Sequence, residues 1–170
     1  MVVSTSLIVA SMAAAVGAAR PAVMVNGLPG AMGREVAAAC LRRGLVLAPM
    51  ALTGPGCAGE IVVDDGVGGQ QTTVKLYEPD TREELAALVR STYPAGGDST
   101  FVCVDYTHPS AVNGNADWYA ANKFPFVMGT TGGDREALMA SVTGATSCVI
   151  APNMAKQIVA LQVRDWAGWI

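Results

Sequence analysis

Val23-Met24-Val25-Asn26-Gly27-Leu28-Pro29-Gly30-Ala31-Met32-Gly33 constrains this chain more than any other stretch. An apolar run ends in three glycines spaced by three, and a helix-forming run, Arg34-Glu35-Val36-Ala37-Ala38-Ala39-Cys40-Leu41, begins at once. A strand, a glycine turn and a helix in that order make a cradle for a pyrophosphate. Glycines let the backbone turn tightly and approach the phosphates, while the new helix aims free N–H groups and its positive dipole end at them. Spacing alone is a weak signal in a chain with 19 glycines. A tight turn without a ligand is the rival reading, and the rest of the chain decides between them.

The length of 170 residues suits one domain with a sizeable core, or one domain and a fragment of another. Half of the residues are hydrophobic and 15% are charged, which argues against disorder over most of the length. A net charge of -3 without a Lys/Arg cluster argues against a nucleic-acid partner. Cys40, Cys57, Cys103 and Cys148 lie far apart and read as free thiols. With His108 the only histidine, no metal site is expected. Residues 1–20, small and apolar with no charge until Arg20, read as a leader or disordered tail outside the fold. They are too short and alanine-rich for a membrane span.

Further along, residues 45–52 read as a second buried strand, bent or edge-like at Pro49. In units specific for NAD, a carboxylate at this strand's end accepts the ribose hydroxyls. Here the end is Leu52-Thr53-Gly54. Thr53 offers a hydroxyl to a ribose or a 2′-phosphate, or simply closes a turn. Residues 54–71 read as loop with a short strand at 60–63, and Asp64-Asp65 as a solvated turn. A strand over 72–77 leads to Thr81-Arg82-Glu83-Glu84, which has the pattern of a capping box for a helix over 83–91.

Strands are then expected over 100–104, 124–128 and 146–150, with helices over 110–122 and 135–142, the second capped by Asp134. Trp118 and Tyr119 read as packing residues. The alternation predicts an α/β fold with a doubly wound parallel sheet, a Rossmann-type dinucleotide-binding domain. The strand ends carry Asp105-Tyr106-Thr107-His108-Pro109, Gly129-Thr130-Thr131-Gly132-Gly133 and Ala151-Pro152-Asn153-Met154. Open α/β sheets bind ligands along that edge.

Together these loops resemble dihydrodipicolinate reductase, the lysine-pathway enzyme family also described as 4-hydroxy-tetrahydrodipicolinate reductase. The resemblance covers roughly residues 22–160, the family's nucleotide-binding domain, and leans to the plant and algal branch. It implies NAD(P)H-dependent hydride transfer to a cyclic dicarboxylate in diaminopimelate and lysine biosynthesis, with NADPH or NADH as cofactor. It implies that Gly27, Leu28, Pro29, Gly30, Ala31 and Met32 hold the pyrophosphate and that Thr53 lies near the adenosine ribose. Gly129, Thr130 and Thr131 approach the nicotinamide side, and Ala151, Pro152, Asn153 and Met154 close over the nicotinamide. Asp105 and Thr107 brace the rim. A plastid location follows for a plant or algal source, and a cytoplasmic one otherwise.

The sequence departs from the family at Pro29, where a glycine is usual, and at Ala31, where an arginine is usual. It also ends before the His-His-x-x-Lys and Ser-Gly-Thr motifs that grip the substrate, so no catalytic residue is assigned. Residues 21–155 are therefore expected to form the dinucleotide-binding domain, and 156–170 a truncated start of the substrate domain. A membrane partner is not expected, and a homo-oligomer only for a full-length form. The alternative is a non-catalytic nucleotide-binding or assembly protein derived from the family. An unrelated Rossmann oxidoreductase is a third reading.

Overall fold

The computed structural model describes residues 20–94, 100–151 and 153. The expectations for the leader, for Pro152 and Met154, and for residues 156–170 lie outside these.

Strand β1 (Ala22–Asn26) is buried along its whole length, as a central strand of a parallel sheet must be when both faces are covered. Its side chains alternate: Met24 enters one core, while Val23 and Val25 enter a second on the opposite face. Helix α1 (Ala31–Arg42) covers the second core through Ala37, Cys40 and Leu41. Its C-cap is Arg43, and Gly44 follows with a φ of +67° that suits a glycine and an N–H bonded to the Leu41 carbonyl.

Pro49 divides the expected second strand in two. Val46–Leu47 (β2) pairs with β1, and Met50–Leu52 (β3) leaves to pair with Gln71–Tyr77 (β5). The short strand expected at 60–63 is β4 (Gly59–Asp64), antiparallel to β5 over six residue pairs. The Asp64-Asp65 turn is more than solvated loop. The Asp65 side chain accepts N–H bonds from Val67, Gly69 and Gln70, and these hold its carboxyl below the usual carboxylate range.

Helix α2 (Arg82–Thr92) corrects the expected capping box. A 3-10 turn, Pro79–Thr81, precedes it, and the Thr81 hydroxyl donates backwards to the Glu78 carbonyl instead of capping the helix. Strand β6 (Phe101–Asp105) returns to β1 on the side away from β2. A second 3-10 turn, Pro109–Ala111, leads into α3 (Val112–Ala121), and β7 (Phe126–Met128) follows. Asp134 caps α4 (Arg135–Val142) as expected, accepting from the Ala137 N–H at 3.0 Å. Strand β8 (Cys148–Ile150) closes the edge.

The five-stranded sheet has the order β2-β1-β6-β7-β8 and is parallel throughout; β3, β5 and β4 form a second, mixed sheet beside β2. Helices α2, α3 and α4 pack on the first core through Leu85, Val89, Ala116, Tyr119, Leu138 and Val142. Each fully buried Leu, Val or Met contributes about 1.5–3 kcal/mol through its transfer from water. The expected doubly wound α/β fold is observed. After β1 the chain runs to one side, then returns and builds β6 to β8 on the other. The switch point therefore lies between the carboxyl ends of β1 and β6.

Candidate functional site

At the switch point β1 ends in Asn26 and β6 in Asp105, which are directly paired and both completely buried. The chain turns at Gly27 with φ +97°, and a Cβ there would collide with the Tyr106 carbonyl. Only glycine lets the two loops approach this closely. Leu28 is buried, the Leu28–Pro29 peptide is cis, and the Gly30 N–H bonds back to the Gly27 carbonyl at 2.9 Å. Helix α1 follows with Gly30 as its N-cap, no side-chain cap and no acidic residue in its first turn. Its first N–H groups and positive end are thus offered without a competing carboxylate.

Beneath the turn lies a network of buried polar groups. The Asp105 carboxylate accepts five hydrogen bonds. Oδ1 receives the Thr107 N–H at 3.0 Å and the hydroxyls of Thr107 and Thr130 at 2.8 Å each. Oδ2 receives Asn115 Nδ2 at 3.0 Å and the Tyr119 hydroxyl at 2.7 Å. Asn26 Nδ2 donates to Tyr119 Oη, and Asn26 Oδ1 accepts the Leu52 N–H, both at 2.7 Å. Since the Gly27 N–H also bonds the Leu52 carbonyl, the end of β3 is tied to the end of β1 although β3 belongs to the other sheet. Burial, and then the Asp105 charge, push the Tyr119 phenol well above its usual value; the same two causes raise the Cys103 thiol.

A cavity of about 370 Å³ opens above this network. Gly27, Leu28, Pro29 and Gly30 form one wall, and Leu52, Thr53, Gly54, Pro55 and Cys57 another; Tyr106, Thr107, His108, Asn115 and Arg82 are among the residues that close it. Of the expected cofactor residues, Gly27, Leu28, Pro29, Gly30 and Thr53 therefore share one cavity. Ala31 and Met32 begin α1 just outside it and are exposed. Thr53 is buried, and its hydroxyl donates to the Leu28 carbonyl at 2.5 Å, bracing the turn. With its proton committed there, the Thr53 oxygen can accept from a ribose hydroxyl but has no hydrogen for a phosphate. The arginine missing at position 31 has a neighbour of the same chemistry. Arg34 folds back on the turn, and its Nε donates to the Pro29 carbonyl at 2.9 Å.

Thr130 and Thr131 lie elsewhere on the same sheet edge. They line a separate cavity of about 270 Å³ with Arg135, Met139 and Ile150. Gly129 allows the loop to pass Tyr106, since a Cβ there would lie 2.5 Å from the ring. The Gly129 N–H bonds the Asp105 carbonyl, and the Ala151 N–H bonds the Met128 carbonyl. Asn153 is exposed. His108 is exposed, with its Nδ1 2.9 Å from the Ser110 hydroxyl.

A match to the family described as "Dihydrodipicolinate reductase, N-terminus" spans residues 21–154. The chain belongs to this family. It is 40% identical over 139 residues to "Probable 4-hydroxy-tetrahydrodipicolinate reductase 2, chloroplastic" of Oryza sativa subsp. japonica. It is 42% identical over 139 residues to "4-hydroxy-tetrahydrodipicolinate reductase 1, chloroplastic" of Arabidopsis thaliana. Each alignment takes in 81% of this chain, but 40% of the rice protein and 37% of the Arabidopsis protein. The chain thus spans well under half the length of these relatives. Among the described residues no helix is long and apolar enough to cross a membrane, and no cluster of His, Cys, Asp or Glu could hold a metal ion.

Reading the sequence missed Asn26, Asn115 and Arg82 as site residues and took Tyr119 for packing alone. Asn115 and Tyr119 stand four apart and so share a helix face; that spacing next to a strand ending in Asp105 was the available signal. Arg82 was hidden inside the supposed capping box.

Proposed function

We propose that this chain carries the dinucleotide-holding part of an NAD(P)H-dependent 4-hydroxy-tetrahydrodipicolinate reductase of lysine biosynthesis through diaminopimelate. The observation that carries the reading is the uncapped N-terminus of α1, reached through residues 27–30, forming one wall of a cavity whose other wall is Thr53. The residues fit such a ligand. The glycine turn would be filled by any Cβ, the helix end brings unpaired N–H groups, and exposed Pro55 gives apolar surface for a purine.

In this reading, residues 27–32 grip the pyrophosphate through backbone N–H groups, with Pro29 contributing shape but no donor. Thr53 accepts from the adenosine ribose while holding the turn closed. Asp105, through Thr107 and Thr130, keeps the loops after β6 and β7 at a fixed height on the sheet edge. Residues 129–131 border the nicotinamide half, and the resemblance assigns Ala151, Pro152, Asn153 and Met154 to its cover. When bound, the dinucleotide supplies the hydride. The second reactant, a small cyclic dicarboxylate, is held by residues that the resemblance assigns outside this sequence. A plastid location goes with the names of the relatives.

Titration of the 170-residue chain with NADPH and with NADH, followed by nicotinamide fluorescence and calorimetry, tests the reading. Saturable one-to-one binding of at least one dinucleotide is expected, with no reduction of the dicarboxylate until the substrate-holding part is supplied. A folded chain that binds neither at millimolar concentration would refute the dinucleotide role.

A further inference from the structure

Arg82 opens α2 and lines the 370 Å³ cavity together with Thr53, Gly54 and the glycine turn. Its guanidinium is poorly satisfied where it stands. Nη1 reaches the Gly114 carbonyl at 3.3 Å and Nη2 reaches Asn115 Oδ1 at 3.4 Å, both long for a charged donor. Nε is sealed from solvent and has no hydrogen-bond partner. A buried donor without an acceptor is costly and rare. Among the described residues the one ion pair is Lys75–Glu84, so Arg82 has no carboxylate partner there.

The cavity has complementary gaps. No carboxylate lines it, so nothing in it accepts two ribose hydroxyls in the manner of an NAD-specific site. The Thr53 proton is spent on Leu28. A Cβ on Gly54 would meet no atom within 4 Å, so space is open beside the strand end. The cavity therefore holds one underused guanidinium, no competing anion and room for a group larger than a hydroxyl. A phosphate monoester matches all three, and the guanidinium fork is built to hold it.

We infer that Arg82 is the specificity-determining residue of the cavity, reading the 2′-phosphate of the adenosine ribose and so selecting NADPH over NADH. The inference rests on the dinucleotide reading above and adds which dinucleotide is chosen, and by which side chain. Asn115 is the positioning residue. Its Oδ1 faces Nη2 of Arg82 at 3.4 Å while its Nδ2 donates to Asp105 and Thr107, so it sets where the guanidinium stands relative to the network under the switch point without saturating it.

The test measures dissociation constants for NADPH, NADH, 2′,5′-ADP and 5′-ADP with the 170-residue chain and its Arg82→Gln, Arg82→Lys and Gly54→Asp variants. The wild type is expected to prefer each 2′-phosphorylated ligand by about tenfold or more, since one charge-assisted fork decides the difference. Arg82→Gln removes that preference by weakening NADPH while leaving NADH within about twofold, and Arg82→Lys restores part of it. Gly54→Asp enters open space at the strand end. Its carboxylate repels a phosphate held there and lowers NADPH affinity relative to NADH, and so tests the position of the 2′-phosphate if the Arg82 variants fold poorly. Equal weakening of both dinucleotides in Arg82→Gln, or a Gly54→Asp variant with the wild-type ratio, overturns the inference. Absence of binding by any dinucleotide to the wild type overturns the dinucleotide reading instead.

Discussion

Replacing Asp105 by Asn keeps the shape of the most heavily bonded side chain in the site and removes its charge. The variant separates two opposed terms. Asp105 is completely buried and makes no ion pair among the described residues, so neutralising it relieves a desolvation cost. Against that, five donors converge on the carboxylate. An amide has one acceptor atom. With its nitrogen at the Oδ2 position, Asn115 Nδ2 and the Tyr119 hydroxyl lose their acceptor, and reversing the Asn115 amide would break its bonds to Thr107 and Arg82. With the nitrogen at Oδ1, the fixed Thr107 N–H is left unpaired instead. Either orientation strands at least one donor at about 1–3 kcal/mol, and the surviving bonds drop from charged to neutral strength. The bond losses outweigh the relief, and we expect a net destabilisation of about 3 kcal/mol. With an m-value of about 2 kcal/mol/M, the urea midpoint falls by about 1.5 M at constant slope. Equilibrium unfolding followed by circular dichroism reads it directly. A midpoint equal to or above that of the wild type would refute the reasoning, because the burial cost of the charge would then exceed the value of its five bonds.

Three further outcomes follow from the same geometry. Cys57 lines the cavity and is half-buried, so saturating NADPH should slow its labelling by a maleimide severalfold, while half-buried Cys148 is labelled at an unchanged rate and buried Cys103 stays unlabelled in the native protein. Asp65 is held below its unfolded value of about 4 by backbone N–H groups. Its contribution is therefore present above pH 4 and lost on acidification below it, so unfolding midpoints measured from pH 7 to 3 should converge for wild type and Asp65→Asn at the acid end. Cys103 and Tyr119 are raised above unfolded values of about 8.5 and 10, so their contribution is intact below pH 8.5 and lost as pH rises beyond it. Midpoints from pH 7 to 11 should fall in that range, less steeply in Tyr119→Phe.

Much of the framework could be read from local sequence because local physics settles it. The run 22–25 is apolar on both faces, residues 27–30 turn at their glycines, and Asp134 sits where a helix needs an acceptor. Pro49 announced a bend, but that β3 would change sheets depends on β5, more than twenty residues away. The Thr81 motif failed because its hydroxyl found the Glu78 carbonyl within a 3-10 turn, a choice that the four-residue pattern does not encode. The Asn26–Tyr119–Asp105 network spans 93 positions and exists only once the sheet has brought β1 and β6 into register. Within the candidate site, the backbone cradle was legible and the side chains that brace it were not.

The most direct test of the central claim is an amide chemical-shift map of the isotope-labelled chain, recorded with 2′,5′-ADP and then with NADPH. 2′,5′-ADP is expected to shift Gly27, Gly30, Thr53, Gly54 and Arg82, and Gly129, Thr130 and Thr131 to respond only to the complete dinucleotide. Shifts confined to another face, such as that of Lys75 and Glu84, with residues 27–33 unmoved by either ligand, would contradict it.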